Sequence, residues 1–389
     1  MIHAEDQLTA SAEVFLSELI RLRERENLLI YLDRRGDARV AQAIQTQSGL
    51  RGCHAEILKL NPALSVMGQA AQIVDRVERG SFDAICELAG QYFYMTPAWK
   101  VARERGARLF SLAGLDAASF VRCVGAVNHR RIFEFGVALR RLIERADTVT
   151  VSAANGTDIR MQLGPWRGRR HRIVAPVQRR LSQAARRLAR RAGLQGLAER
   201  LRTRPPRAFV LDPSGALDAK TRATFLGGQL SFRGIPETIE GTAVIDGFLW
   251  PPDEIGQVDE PVVVKFARGR LIDIAGCPIA SKILARRFGA ETIYVEHFCV
   301  GFNPGATFGG RILEAERVFG SMTIGMGQGV LHTDGVIKSP NLIVDRDVVE
   351  ENGRFLTAQL GFLQNELIRT DVSPAQWTYG SVSDVGKLV

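Results

Sequence analysis

Three side chains stand out as able to do chemistry together: His297, and the pair His332 and Asp334 spaced as H-x-D. In an extended segment, residues two apart point to one face, so His332 and Asp334 present an imidazole and a carboxylate side by side. Two imidazoles and one carboxylate form the facial set that holds mononuclear Fe(II) and leaves positions open for substrate and O2. The chain has only six histidines, and two of them fall in this stretch. The same spacing also fits a strand-end histidine bonded to a nearby carbonyl, so the context has to separate the two readings.

The elements that must position these residues divide the chain in two. At 389 residues there is room for two domains. Through residues 1–146, short apolar runs alternate with helical stretches: Asn27–Leu32, Glu56–Leu60, Phe82–Leu88 and Arg108–Leu112 read as strands, with helices from Ala38, over Gln69–Arg79 and over Pro97–Arg105. Ala117 to about Ala146 reads as helix with a break near Asn128. This alternation predicts a doubly wound, flavodoxin-like parallel sheet covered on both faces. No glycine-rich dinucleotide fingerprint and no phosphate-binding loop accompany it. From Thr148 the period changes to two. Thr148–Ser152 and Asp158–Leu163 flank Asn155-Gly156, and Val262–Phe266 and Leu271–Ile274 flank Arg268-Gly269, both hairpin signals. Further strands are expected over Thr292–Val300, Met322–Met326 and Asn341–Val344, with a helix over Arg354–Ile368. The expected organisation is therefore α/β plus α+β: a parallel-sheet domain over 1–146 and a β-rich metal-binding domain over 147–389.

The net charge of +9 belongs to one insertion, about residues 166–207. Between Arg167 and Arg207 there are fourteen arginines, no lysine and one acid, Glu199, so the rest of the chain is acidic on balance. Leu181, Ala185, Leu188 and Ala192 recur at helical spacing among the arginines, which predicts a basic amphipathic helix. Such a helix serves as a lid over an acidic substrate, an anionic surface contact, an intersubunit arm or a solvated face. Aromatic interleaving is absent, which argues against nucleic acid as a partner. No apolar run reaches membrane-spanning length, and the N-terminus shows no signal-peptide pattern. Five scattered cysteines without C-x-x-C spacing fit reduced thiols, and a cytoplasmic protein is expected.

The stretch Glu296–Asp345, with Asn303-Pro304 and His332-Thr333-Asp334-Gly335, resembles the C-terminal metal region of the thermophilic-type metallo-aminopeptidases. Asn155–Asp158 and Gly241–Val244 are similar to two upstream pieces of that pattern. The departures concern metal ligands. The family's first glutamate, which follows a Gly-Gly, is Gln229 here; its second falls on His297; its upstream histidine falls on Thr323. His332 and Asp334 keep their identities. Losing two carboxylates removes the charge that holds two divalent cations close together. What remains is similar to the ring-cleaving branch of the superfamily, that of 2,5-dihydroxypyridine 5,6-dioxygenase. The resemblance implies a mononuclear Fe(II) held by His297, His332 and Asp334, with Thr323 or Ser321 as a hydroxyl partner. The substrate implied is a small hydroxylated aromatic or heteroaromatic acid, cleaved with O2 in a cytoplasmic homo-oligomer, with the site between the two domains. Where the branch often carries a histidine, this chain has Met95, so its acid/base residue is left open among Tyr92, Tyr94, His129 and His171. Tyr92 and Tyr94 equally fit packing at a strand end. Glu296 is weighed as a partner to a ligating histidine, though simple alternation places it on the face opposite His297; Asp246 and Glu237 read as structural. The alternatives are an aminopeptidase-like metal hydrolase and a binding protein without catalysis.

Overall fold

The computed structural model describes residues 4–94, 96–163, 188, 223–251, 255–309, 311–328 and 331–369. The chain opens with helix α1 (Ala4–Val14), which sequence periodicity does not announce. β1 (Asn27–Leu32), β2 (His54–Lys59), β3 (Ala84–Glu87) and β4 (Arg108–Ser111) then pair in parallel in the order β2-β1-β3-β4. Alternation along β1 explains why both faces need cover. Leu28, Ile30 and Leu32 pack with α1 and α2 (Ala38–Leu50), whereas Leu29 and Tyr31 pack with α3 (Val66–Arg79) and α4 (Pro97–Glu104). Helix starts follow local chemistry: the Asp37, Ser65 and Thr96 side chains each accept a first-turn N–H, and Pro97 sits where its missing N–H costs nothing. The break expected near Asn128 is present. Short α5 (Ala117–Phe120) runs into a π-helical turn, and Asn128 caps α6 (His129–Arg145).

Pairing becomes antiparallel at the hairpin β5 (Thr148–Ser152) and β6 (Asp158–Gln162), where Gly156 takes φ +99°. The arginine-rich insertion and His171 lie outside the described residues, except Leu188, which is helical and exposed. β7 (Ala223–Phe225) then returns to the first sheet and pairs in parallel with β4. The remaining strands are β8 (Gln229–Phe232), β9 (Glu240–Ile245), β10 (Phe248–Trp250), β11 (Gly256–Gln257), β12 (Val262–Ala267), β13 (Arg270–Gly276), β14 (Val295–Gly301), β15 (Ser321–Met326), β16 (Thr333–Lys338), β17 (Asn341–Val344), β18 (Asp347–Glu351) and β19 (Arg354–Phe355). They form a middle sheet, β11-β10-β16-β15-β14-β8, and an outer sheet, β13-β12-β9-β6-β5-β17-β18-β19. α7 (Pro278–Phe288) follows β13, α8 (Ile312–Ala315) precedes β15, and α9 (Ala358–Gln364) ends the described chain. The helix expected over Arg354–Ile368 is thus shorter. Asn352-Gly353, with φ of +48° and +77°, makes a hairpin turn, and α9 starts only after Thr357, whose hydroxyl accepts from Leu360 N–H.

The middle sheet has two unlike faces. Leu230, Phe298, Val300, Met322, Ile324 and Ile337 pack against outer-sheet residues such as Val149, Ile159 and Val264 in one apolar core. The opposite face turns toward the parallel-sheet half, where Phe248 and Val336 pack with Ile312, Ala315 and Tyr92. No helix among the described residues is long and apolar enough to cross a membrane.

Candidate metal centre

The polar face of the middle sheet is built by register. His297 on β14 lies opposite Gly325 on β15, Gly325 opposite Asp334 on β16, and Asp334 opposite Trp250 on β10. Directly paired residues of antiparallel strands share a face, so His297, Asp334 and Trp250 project the same way. A bulge in β14 leaves Glu296 as the extra residue just before His297, and such bulges re-aim the neighbouring side chain. The Glu296 carboxylate lies 3.2 Å from Arg233 and also accepts from the Gln328 amide.

Gly325 is the space-making residue of this row. A Cβ there would lie 2.3 Å from His297 Cε1 and 2.7 Å from its Nε2. The imidazole therefore lies across β15 where a side chain would otherwise stand, and in this way it reaches Asp334 one strand further on. His297 Nε2 is 3.3 Å from Asp334 Oδ1, and His332 Nε2 is 3.1 Å from Oδ2. The two rings are 24° from parallel with centroids 5.2 Å apart. The His332 Nδ1 faces the Gly327 carbonyl at 3.4 Å, and Arg287 from α7 holds the backbone, donating to His332 O at 3.2 Å and Thr333 Oγ1 at 3.1 Å.

The electrostatics fit a cation site. Burial opposes charge on both histidines, yet each is held above its ordinary value, His297 by Cys299 and Asp334, His332 by Asp334 and the Gly327 carbonyl. Burial likewise opposes charge on Asp334, yet the two imidazoles hold its carboxyl well below the usual carboxylate range. One donor atom from each residue falls within 4.8 Å of the others, and each oxygen of the buried Asp334 carboxylate faces an imidazole nitrogen. Two imidazole nitrogens and one carboxylate are a donor set that suits a divalent transition metal with open positions.

More polar groups share the face. Thr323 lies opposite Cys299, two residues from Gly325, and Ser231 lies opposite Cys299 on its other side. Both hydroxyls are buried without a hydrogen-bond partner. Ser321 stands two positions beyond Thr323 and its hydroxyl donates to Val318 O at 2.7 Å, which places it about 13 Å along the strand from Gly325. Gln229 lies opposite Gly301 and donates to Glu316 at 3.0 Å. Burial and the nearby Asp334 charge push the Glu316 carboxyl up to about 7. Glu316 carries no spacing signal in the sequence, and its proximity to Asp334 comes from the turn after α8.

The candidate bases fall out differently. Burial and the Asp334 charge push the Tyr94 phenol up, and Tyr94 packs edge-on to Tyr92 and Phe225. His129 is buried at the start of α6 with Nε2 2.8 Å from Val124 O, because the π-helical turn leaves that carbonyl to be satisfied. Met95 lies outside the described residues. Asp246 is structural: it accepts from the Asn155 amide and Lys338 N–H.

These three layers and their site define a mixed α/β fold carrying a two-histidine, one-aspartate cluster. Comparison of folds finds 2,5-dihydroxypyridine dioxygenase from Pseudomonas putida KT2440, with a TM-score of 0.61 and 13% identity over 93% of this chain and 100% of that one. It also finds wild-type AmpT from Thermus thermophilus, with a TM-score of 0.52 and 11% identity over 90% of this chain and 99% of that one. At such identity the likeness is one of fold. No family model and no curated protein matches the sequence.

Proposed function

We propose that this chain is a mononuclear non-haem iron dioxygenase that acts on a small hydroxylated aromatic or heteroaromatic acid. The observation that carries the reading is the convergence of His297, His332 and Asp334, one donor atom of each within 4.8 Å of the others, with Gln229 and His297 standing where the two-metal pattern has its glutamates. Fe(II) held by His297, His332 and Asp334 would supply open coordination positions for a chelating substrate and for O2. The rest falls to the protein. Gly325 lets His297 lie flat across the strand, and Arg287 fixes the backbone under His332 and Asp334. Thr323 and Ser231 offer unpaired hydroxyls on the same face for substrate oxygen or nitrogen. Glu316, with its carboxyl near 7 and anchored by Gln229, takes the proton from a substrate hydroxyl in place of the histidine absent at Met95.

The test is anaerobic reconstitution with Fe(II), followed by O2 uptake with a panel of dihydroxypyridines and hydroxylated aromatic acids. The expected result is about one iron per chain and substrate-dependent O2 consumption, both lost in His297→Ala. Two zinc or manganese ions per chain with peptidase activity and no O2 uptake would put the aminopeptidase-like metal hydrolase in its place.

A further inference from the structure

A second feature of the molecule lies beside the metal centre and is not explained by it. A cavity of about 430 Å3 opens where the C-terminal ends of β1, β3 and β4 face β10. Its size is within the roughly 300–1,000 Å3 of small-molecule sites. Its position is the point between β1 and β3 where the order of the parallel sheet reverses, which is where open α/β sheets bind ligands.

The cavity joins an aromatic wall to a cationic rim. Phe248, Trp250, Tyr92 and Phe308 form the wall, with Tyr92 edge-on to Trp250 at 5.3 Å. Arg35, just after β1, and Arg311, just before α8, form the rim, and both are exposed. Two glycines make room for their stems. A Cβ on Gly90 would lie 2.4 Å from Arg35 Cβ, and one on Gly114 would lie 2.6 Å from Arg311 Cγ. Among the described residues no carboxylate pairs with Arg311. The acid on the described lining, Asp116, caps α5, accepting from the Ser119 N–H and hydroxyl at 2.8 Å each. Trp250 belongs to this wall and also faces Asp334 across the β10–β16 ladder, so the cavity begins one strand away from the metal donors.

We propose that this cavity is a recognition site for an aromatic carboxylate, the carboxylate at the arginine rim and the ring against Trp250 and Tyr92. Planar guanidinium groups match carboxylate geometry, and the aromatic wall takes the ring edge-on or stacked. Calling that ligand the substrate rests on the dioxygenase reading; binding of the anion does not. It extends the substrate class to acids whose ring reaches from the rim to the sheet edge beside Asp334.

The test uses calorimetry on the metal-free protein with 2-naphthoate, and with 2-naphthol as the uncharged probe of similar size. The expected result is naphthoate binding at least tenfold tighter than naphthol. Arg311→Gln removes that advantage while naphthol binding persists, which also shows the variant is folded, and His332→Ala binds naphthoate as the wild type does. Equal binding of the two probes, or an unchanged preference in both Arg311→Gln and Arg35→Gln, would overturn the proposal. Arginine-dependent naphthoate binding without O2 uptake on any substrate supports the anion site and counts against the dioxygenase reading alone.

Discussion

Gly325→Ala isolates the geometry of the candidate metal centre from its chemistry. The added methyl would sit 2.3 Å from His297 Cε1, where ordinary contact begins near 3.4 Å, so the ring has to retreat by about 1 Å. Gly325 is not among the positive-φ positions, so the backbone accepts alanine and the perturbation stays in the His297 ring. Metal–ligand distances tolerate only about 0.2 Å, and the variant therefore loses His297 as an effective donor. Disturbing even an outer partner of a ligand costs about 10–100-fold in affinity, so a drop of about 100-fold is expected here. Fold stability changes far less. Overpacking costs about 1–3 kcal/mol, offset by the roughly 0.5–1 kcal/mol that alanine gains over glycine within a strand. Calorimetric titration with Co(II) or Fe(II) reads the affinity, and a thermal melt of the metal-free protein reads the fold. In a His297→Ala background the alanine at 325 has nothing left to displace, so its effect on metal affinity should vanish. Wild-type affinity in Gly325→Ala, or an undiminished loss in the His297→Ala background, would refute the geometric account.

Other outcomes follow from the same structure. Adding Fe(II) at 100 times its dissociation constant should stabilise the protein by about 2.7 kcal/mol, and a chelator should reverse this; a thermal melt in which His332→Ala responds equally would remove that residue from the site. Arg287→Met frees the backbone beneath His332 and should weaken metal binding about tenfold with little change in helix content by circular dichroism. Glu87, buried at the end of β3, is pushed by burial from 4.5 up to about 7 against hydrogen bonds from Ser111 and Phe93 N–H. The folded state then binds more protons than the unfolded state between those values, so stability falls as pH rises from 4.5 to 7 and is level above. Glu87→Gln abolishes that slope, and denaturant titrations at pH 4 and pH 8 should show the variant gaining up to about 3 kcal/mol on the wild type between them; parallel profiles would contradict the assignment.

Much of this protein is written locally. The alternation of short apolar runs with helices determined the parallel sheet, because β1 buries Leu28 and Leu29 on opposite faces and any such strand needs both covered. The change of period at Thr148 and the glycines at 156 and 269 marked the two hairpins, since only certain residues accept a positive φ cheaply. The three candidate donors were legible too, as residue types and as the H-x-D spacing. Their meeting was not. His297 and Asp334 come together through a ladder that spans β14, β15 and β16, and register between strands far apart in sequence is set by which face finds a core. The bulge at Glu296 likewise breaks the simple alternation from which its facing is read. Gly325 looks like any glycine until an imidazole lies over it. The same holds for Glu316, whose carboxyl is shifted by Asp334 only because a turn after α8 brings it beneath the sheet, and for β7, which returns across the whole insertion to pair with β4. Local pattern chose the elements and the chemistry of their side chains; long-range pairing chose which of those side chains share a space, because contacts between distant segments depend on the buried surface of the whole and on no single stretch of it.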